Sequence, residues 1–453
     1  MQAFDLVVIG AGSGLNISSA AADRGLKVAI VEKGPMGGTC LNRGCIPSKI
    51  IIHSADVAET IRKSGLFGIS SKIFSVDFRK ITARASKIVD KDAKEIEEGI
   101  REDKNTTLFK AEAKFISERT LKVGKETIKG DKIIIAAGTR PSIPQIDGLK
   151  DVDFITSDEA LRLKKQPKTM TILGGGYIAA ELAHFYGSLG TKISIIQRGN
   201  LLVPNEDGEL SRTFTEIFRK KYNVLTNFDA AKVMKKGKNF VVTAQNKKNF
   251  KKIISDSLLV AAGRTPNTDI LDVKKGNAEV DEKGYIKTNE YLETTAKNTW
   301  ALGDIAGKFL FKHSANLEAQ HVYYNAISNK KIPVDYSAMP HAIFSSPQIA
   351  GVGMREQDLK QKNIDYATGR YDYINSGMGI ALQDTDGFVK IFADRKTRKI
   401  LGCHILGTDA STLIHEVIVA MKNNLSADAI SNSVHVHPAL SEVVQRAVNN
   451  VEW

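Results

Sequence analysis

A chain that twice spells buried strand, glycine turn, helix and second buried strand has few folds open to it. Residues 4–9 are apolar and β-branched, Gly10-Ala11-Gly12-Ser13-Gly14 is a glycine turn, residues 15–24 have helical texture, and residues 27–31 are a second apolar strand. The order returns in residues 170–173, Gly174-Gly175-Gly176, a helix to about residue 189, and residues 192–196. In such a unit the glycines let backbone approach a phosphate, and the helix amides face the anion. Two units predict two mononucleotide-binding domains, so the fold class is α/β.

Residues 132–141 and 258–266 are short apolar strands that end in similar turns at Gly138 and Gly263, which places the second unit as an insertion between halves of the first. After Pro333 the texture turns to alternating strands followed by helices near 409–423 and 439–449, a separate α+β domain. At roughly 150 residues per domain the 453 residues hold about three domains. The expected parts are 1–145 and 263–332 for the first dinucleotide domain, 146–262 for the second, and 333–453 for the last. No apolar run approaches the ~18 residues of a membrane span, and residues 1–10 carry no signal-peptide pattern, so a cytoplasmic location without a membrane partner is expected. The net charge of +13 comes from 64 basic and 51 acidic residues. Its lysine pairs, such as Lys247-Lys248 and Lys251-Lys252, stand without interleaved aromatics, which favours a basic surface over a nucleic-acid footprint.

In the first unit Gly10 and Gly12 form the phosphate turn, and Glu32 at the end of the second strand is placed for a ribose diol. The third fingerprint position is Leu15, with Gly14 one place early, which weakens the expected helix–strand packing. In the second unit Gly174 and Gly176 lead to Ala179, and the position matching Glu32 holds Gln197, followed by Arg198. An arginine there pairs with a 2′-phosphate, tilting the choice toward NADP.

Three cysteines are no disulfide framework for a secreted fold. Cys40 and Cys45 stand in Gly-Thr39-Cys40-Leu-Asn-Arg-Gly-Cys45-Ile-Pro-Ser-Lys49. Five residues along an ideal helix separate Cα atoms by about 8.6 Å, beyond the ~7 Å reach of a disulfide. A bridge therefore requires a distorted segment and is easily reduced. A redox disulfide is favoured over buried structural thiols and over a metal site, since two cysteines without ligand-spaced partners make a poor zinc site. Cys403 reads as a small core residue. Thiol chemistry needs a base, and His437-Pro438 followed by Glu442 offers one with a carboxylate to hold a ring nitrogen.

Taken together, the cysteine segment, Gly-Gly-Gly-Tyr177-Ile-Ala-Ala-Glu181, Ala-Leu-Gly303-Asp304 and His437-Pro-x-x-x-Glu442 resemble the flavoprotein disulfide reductases, the class I pyridine nucleotide-disulfide oxidoreductases. The resemblance covers essentially the whole chain. It implies FAD in the first fingerprint and NAD or NADP in the second, with Ser13, Gly14, Thr39, Lys49, Gly138, Asp304 and His313 around the flavin. Gly263 and Tyr177 join Gly174, Gly176 and Arg198 as cofactor contacts. It further implies Cys45 as the thiol facing the flavin, Cys40 as the interchange thiol, a Lys49–Glu181 pair, and a homodimer in which His437 and Glu442 serve the partner's site. Within the family the motifs look most like dihydrolipoamide dehydrogenases, which raises lipoamide-like substrates, free or protein-bound, and a 2-oxoacid dehydrogenase complex as partner. The alternative is NADPH-dependent reduction of a low-molecular-weight disulfide, as in mycothione or glutathione reductases. Mercuric reductases and the large thioredoxin reductases carry a further C-terminal redox pair, and no cysteine follows Cys403 here.

Overall fold

The computed structural model describes residues 1–453 and divides into two compact units. The first comprises residues 1–50, 82–142 and 263–335. Its sheet runs in the order Thr106–Phe109, Val28–Val31, Gln2–Ile9, Glu126–Ile135, and Thr299–Ala301 adds to Glu126–Ile135, all in parallel. Register pairs Ile9 with Val31 on one side and Ile135 on the other, so the carboxyl ends of three strands finish level. Strand Val28–Val31 is buried on both faces, which is why it reads as an unbroken apolar run and not an alternation. Val7, Ile9, Ala29, Ile133 and Ile135 enter one core layer, while Leu6, Val8, Val28, Ile30 and Ile134 enter the other beneath Ile17 and Ala21 of helix Leu15–Ala22. Thr120–Val123 and Ala113–Ser117 extend the sheet antiparallel.

The second unit comprises residues 51–81, 143–262 and 336–453. It holds a parallel sheet in the order Asn223–Thr226, Lys192–Gln197, Thr169–Leu173, Ser257–Val260. A three-stranded antiparallel sheet, Asp229–Lys236, Asn239–Gln245 and Phe250–Ser255, is separate from it. A five-stranded antiparallel sheet in the order Pro340–Ile343, Gln348–Gly353, Ile400–Gly407, Phe388–Asp394, Tyr366–Asp372 is packed by helices Ala410–Lys422 and Glu442–Asn449. Cys403 lies fully buried in that core, as expected of a small apolar residue. No helix is long and apolar enough to cross a membrane.

Candidate functional site

The two glycine turns are built alike. Gly10 has φ +103° and Gly174 φ +112°, and a Cβ on either would lie 2.3 Å from a carbonyl oxygen, of Ala136 or Ala261. Their amides donate to the neighbouring strands in the same way, Gly10 to Val31 and Gly174 to Ile196, both at 2.9 Å. Only glycine fits those two places. The second glycines differ in kind: a Cβ at Gly12 would find one atom, Gly38 Cα at 3.9 Å, and at Gly176 nothing within 4 Å. Those two positions leave room for a ligand to approach the backbone. Gly14 corrects one expectation, because a Cβ there would stand 2.8 Å from Val8 Cγ1 and 2.7 Å from Gly10 O. It supplies the close helix–strand approach that Leu15 was expected to forfeit.

Around the first turn, Glu32 accepts the amides of Ala11 at 3.0 Å and Gly34 at 2.7 Å, so its carboxylate braces the loop as well as ending the strand. A crevice at the strand ends is lined by Gly10, Val31, Glu32, Ala111, Ala137 and Asn267. Gly138 has φ +62° with nothing within 4 Å of a Cβ, and Thr139 Oγ1 donates to Asp304 Oδ2 at 2.8 Å. Burial pushes the Asp304 carboxyl up, against the Thr139 hydrogen bond and the charge of Arg264. Gly263 has φ +129° and accepts the Ser142 amide at 2.9 Å. His313 is exposed with its ring stacked on Phe311.

The cysteines sit on two helices, not one. Helix Gly38–Arg43 carries Thr39 and Cys40, Gly44 leaves helical geometry at φ −147°, ψ −116°, and Cys45 opens helix Cys45–Lys63. A bridge over this spacing would require such a break. A Cβ at Gly44 would come within 3.0 Å of Thr39 O and 3.4 Å of Cys40 Cα, so the break folds the second helix start against the first cysteine. Pro47 lies in the first turn, where a missing amide costs nothing. Buried Asn42 donates to Met36 O at 2.7 Å and Gly38 O at 3.0 Å, fixing the loop. Cys40 is half-buried and Cys45 exposed. A hydrogen bond with Cys45, then burial and the Cys45 charge, drive the Cys40 thiol far up, while Lys312 draws it down. Lys49 Nζ donates to Ser48 Oγ at 3.2 Å.

Lys312 was not legible in the sequence. It starts helix Lys312–Val322, donates to Ser13 Oγ at 2.9 Å, and Ser13 Oγ donates to Asn316 Oδ1 at 3.0 Å one helical turn along. Burial lowers the Lys312 ammonium's pKa, and the charges of Cys40 and Cys45 oppose that. Phe311 at its N-cap gives no capping signal, so the first turn of this helix is unmarked in the sequence. The i, i+4 spacing of Lys312 and Asn316, which both meet Ser13, was the available clue.

In the second unit Gly176 is the N-cap of helix Tyr177–Ser188, with Tyr177 37% exposed and Ala179 buried in the small third position. Arg198 is exposed just beyond strand Lys192–Gln197 and forms no ion pair. Buried Glu181 accepts the Phe344 amide at 3.0 Å. His437 Nδ1 lies 3.1 and 3.2 Å from the two oxygens of Glu442, which also accepts the Ala439 amide at 3.2 Å. The His437 hydrogen bond, then the Ala439 amide, hold the Glu442 carboxyl below the usual range. The carboxylate holds the Nδ1 edge of the ring, and the His437 side chain is 74% exposed. Other histidines have structural partners: His184 on Asp56 at 2.7 Å, His341 on Glu206 at 2.6 Å, and His404 through one ring nitrogen on Met354 O at 3.0 Å.

A family model for pyridine nucleotide-disulphide oxidoreductases matches residues 4–328, and that family's dimerisation domain matches residues 339–448. The chain belongs to this family. Mycothione reductase from Mycobacterium tuberculosis is 34% identical over 462 residues, covering 99% of both chains. Dihydrolipoyl dehydrogenase from Bacillus subtilis is 32% identical over 451 residues, with 98% of this chain and 95% of the relative covered. Mercuric reductase from Staphylococcus aureus is 31% identical over 447 residues, covering 98% and 82%. Among solved structures, the HOCl-induced flavoprotein disulfide reductase RclA from Escherichia coli superposes with a TM-score of 0.88 at 26% identity, both chains fully covered. The protein is therefore an oxidoreductase that uses FAD and a nicotinamide nucleotide, and its dimerisation domain supports a homodimer. The residues present fit both groups: two open glycine cradles at helix starts, and a buried carboxyl at Asp304 pushed toward its neutral form.

Proposed function

We propose that Cys40 and Cys45 are the redox dithiol of a dihydrolipoamide dehydrogenase, with His437 as base and Glu442 as its orienting carboxylate. The observation that carries the chemistry is the helix break at Gly44, which sets Cys45 against Cys40 although five residues apart. Nε2 of the partner subunit's His437 takes the proton of a substrate thiol, and the thiolate attacks Cys40 Sγ of the Cys40–Cys45 disulfide. Cys45 leaves as a thiolate, stabilised by the start of its 19-residue helix. The second substrate thiol displaces Cys40, so the substrate departs oxidised and the enzyme holds two electrons as a dithiol. FAD, when bound, carries that electron pair to the nicotinamide nucleotide. Gly10, Gly12, Ser13, Gly14, Glu32, Gly138, Asp304 and His313 would hold FAD, with Thr39 and Lys49 beside it. Gly174, Gly176, Tyr177, Arg198 and Gly263 would hold the nucleotide, and Glu181 would support Lys49. Dihydrolipoyl dehydrogenases of 32–33% identity over nearly the whole chain support this substrate class.

One observation favours the reverse direction with a different substrate. The strand that in the first unit ends in Glu32 ends here in Gln197 and an exposed, unpaired Arg198, a place for a 2′-phosphate. Mycothione reductase at 34% identity accords with NADPH-driven reduction of a small disulfide. Steady-state assays crossing NAD+, NADH and NADPH with dihydrolipoamide, lipoamide, glutathione disulfide and mycothione decide between them. Turnover of dihydrolipoamide with NAD+ is expected. Strong disulfide reduction with NADPH and none with lipoamide would overturn the first reading, and full activity in Cys45→Ser would overturn both.

A further inference from the structure

Residues 230–255 hold eight lysines, no arginine and no acidic residue, in a chain whose total charge is +13. They form the three-stranded sheet Asp229–Lys236, Asn239–Gln245, Phe250–Ser255. One face, with Phe240, Val242 and Ala244, packs into the core beside Ile253. On the other, the register sets Phe250 against Gln245, Lys252 against Thr243 and Ile254 against Val241, with Lys232 and Met234 across the central strand. Phe250 is 71% and Ile254 62% exposed. Lys232 pairs with Asp147 and Lys235 with Asp153, whereas Lys236, Lys238, Lys247, Lys248, Lys251 and Lys252 are exposed and have no carboxylate partner.

We propose that this sheet is a peripheral docking surface for an anionic lipid bilayer. Unpaired lysines are attracted to headgroup phosphates, and Phe250 and Ile254, one turn of the pleat to either side of Lys252, enter the acyl boundary. The composition selects this occupant over two others. Protein interfaces enrich arginine and deplete lysine, and every basic residue of this segment is lysine. Single strands of nucleic acid need several stacking aromatics, and only Phe250 is exposed here, Phe240 being buried. Lysines on an edge strand also deter edge-to-edge pairing, but that role leaves Phe250 and Ile254 exposed without a purpose. Such a surface requires no membrane-spanning helix.

The test is co-sedimentation of the FAD-loaded full chain with vesicles of phosphatidylcholine containing 30% phosphatidylglycerol, and with pure phosphatidylcholine. Binding to the anionic vesicles at 0.1 M salt, lost at 0.5 M and absent from neutral ones, is expected. Each Lys→Glu change at 236, 248 or 252 should weaken partitioning at least about five-fold, and Phe250→Ser should weaken it while leaving the salt slope unchanged. Disulfide–dithiol turnover in solution should match the parent in all four variants, which shows that they fold. Equal binding to neutral vesicles, no binding to anionic ones, or a preference for oligo(dT) or polyglutamate over the vesicles would overturn the proposal.

Discussion

Lys312 places a cation beside two thiols from a helix far along the chain, held there by Ser13. A positive charge favours the thiolate, so its removal should make the dithiol harder to ionise. In Lys312→Met the pH midpoint for iodoacetamide alkylation of the reduced enzyme should rise by on the order of 1 unit, with Lys312→Arg close to the parent. An unchanged midpoint in the Met variant would remove Lys312 from the dithiol's electrostatics. His437 presents the complementary case, a proposed base whose Nδ1 lies against one carboxylate. Glu442→Gln can still accept one hydrogen bond but loses the charge that balances an imidazolium, so kcat should fall about 10²-fold with KM nearly constant. A KM rise at constant kcat would instead make Glu442 a structural prop for helix Glu442–Asn449.

At the scale of elements, the paired glycines separate folding from binding within one turn. Gly174→Ala would drive a methyl into Ala261 O and impose φ +112° on an L-residue, so thermal stability should drop. Gly176→Ala meets no protein atom, so the melting temperature should hold while KM for the nicotinamide nucleotide rises at least about ten-fold, roughly 1.4 kcal/mol. Equal melting losses with no KM change would show that Gly176 is not a cradle. These elements were legible because each signal is local: apolar runs at strand lengths, glycines where φ is positive, and helix starts behind them. The strands Ala113–Ser117 and Thr120–Val123 and the first turn of helix Lys312–Val322 were not, since their signals are weaker or lie in contacts between distant segments. The same is true of the sheet of residues 229–255, where lysine pairs look scattered until the three strands pair into one sheet.

Across the whole molecule, one lysine is spent where the sequence gives no hint of burial. Lys390 is 4% exposed in the second unit and lies 2.7 Å from Glu356, 3.0 Å from Glu209 and 3.3 Å from Asp207. It joins strand Phe388–Asp394 to the first turn of helix Gly208–Lys221, a contact between segments remote in the chain. Burial alone would raise the Glu356 carboxyl, but hydrogen bonds from Lys360 and Lys390 outweigh it and hold the group at about 2, below its usual 4.5. Burial likewise lowers the Lys390 ammonium, and the Glu356 hydrogen bond with the Asp207 and Glu209 charges raises it above 10.5. A carboxyl depressed on folding contributes stability above its unfolded pKa, and that contribution is lost as pH falls from about 4.5 toward 2. The lysine's contribution holds up to about 10.5 and is lost as pH rises beyond its folded value. Stability from this cluster should therefore be flat between those limits and fall on either side. Lys390→Met leaves three carboxylates crowded without their cation, which should cost about 3–5 kcal/mol at neutral pH. It should also flatten the acid limb, because Glu356 would lose a hydrogen bond that keeps it ionised. Urea unfolding of the FAD-loaded protein from pH 3 to 9 measures both effects, and a variant as stable as the parent at pH 7 would show that the four charges do not act together.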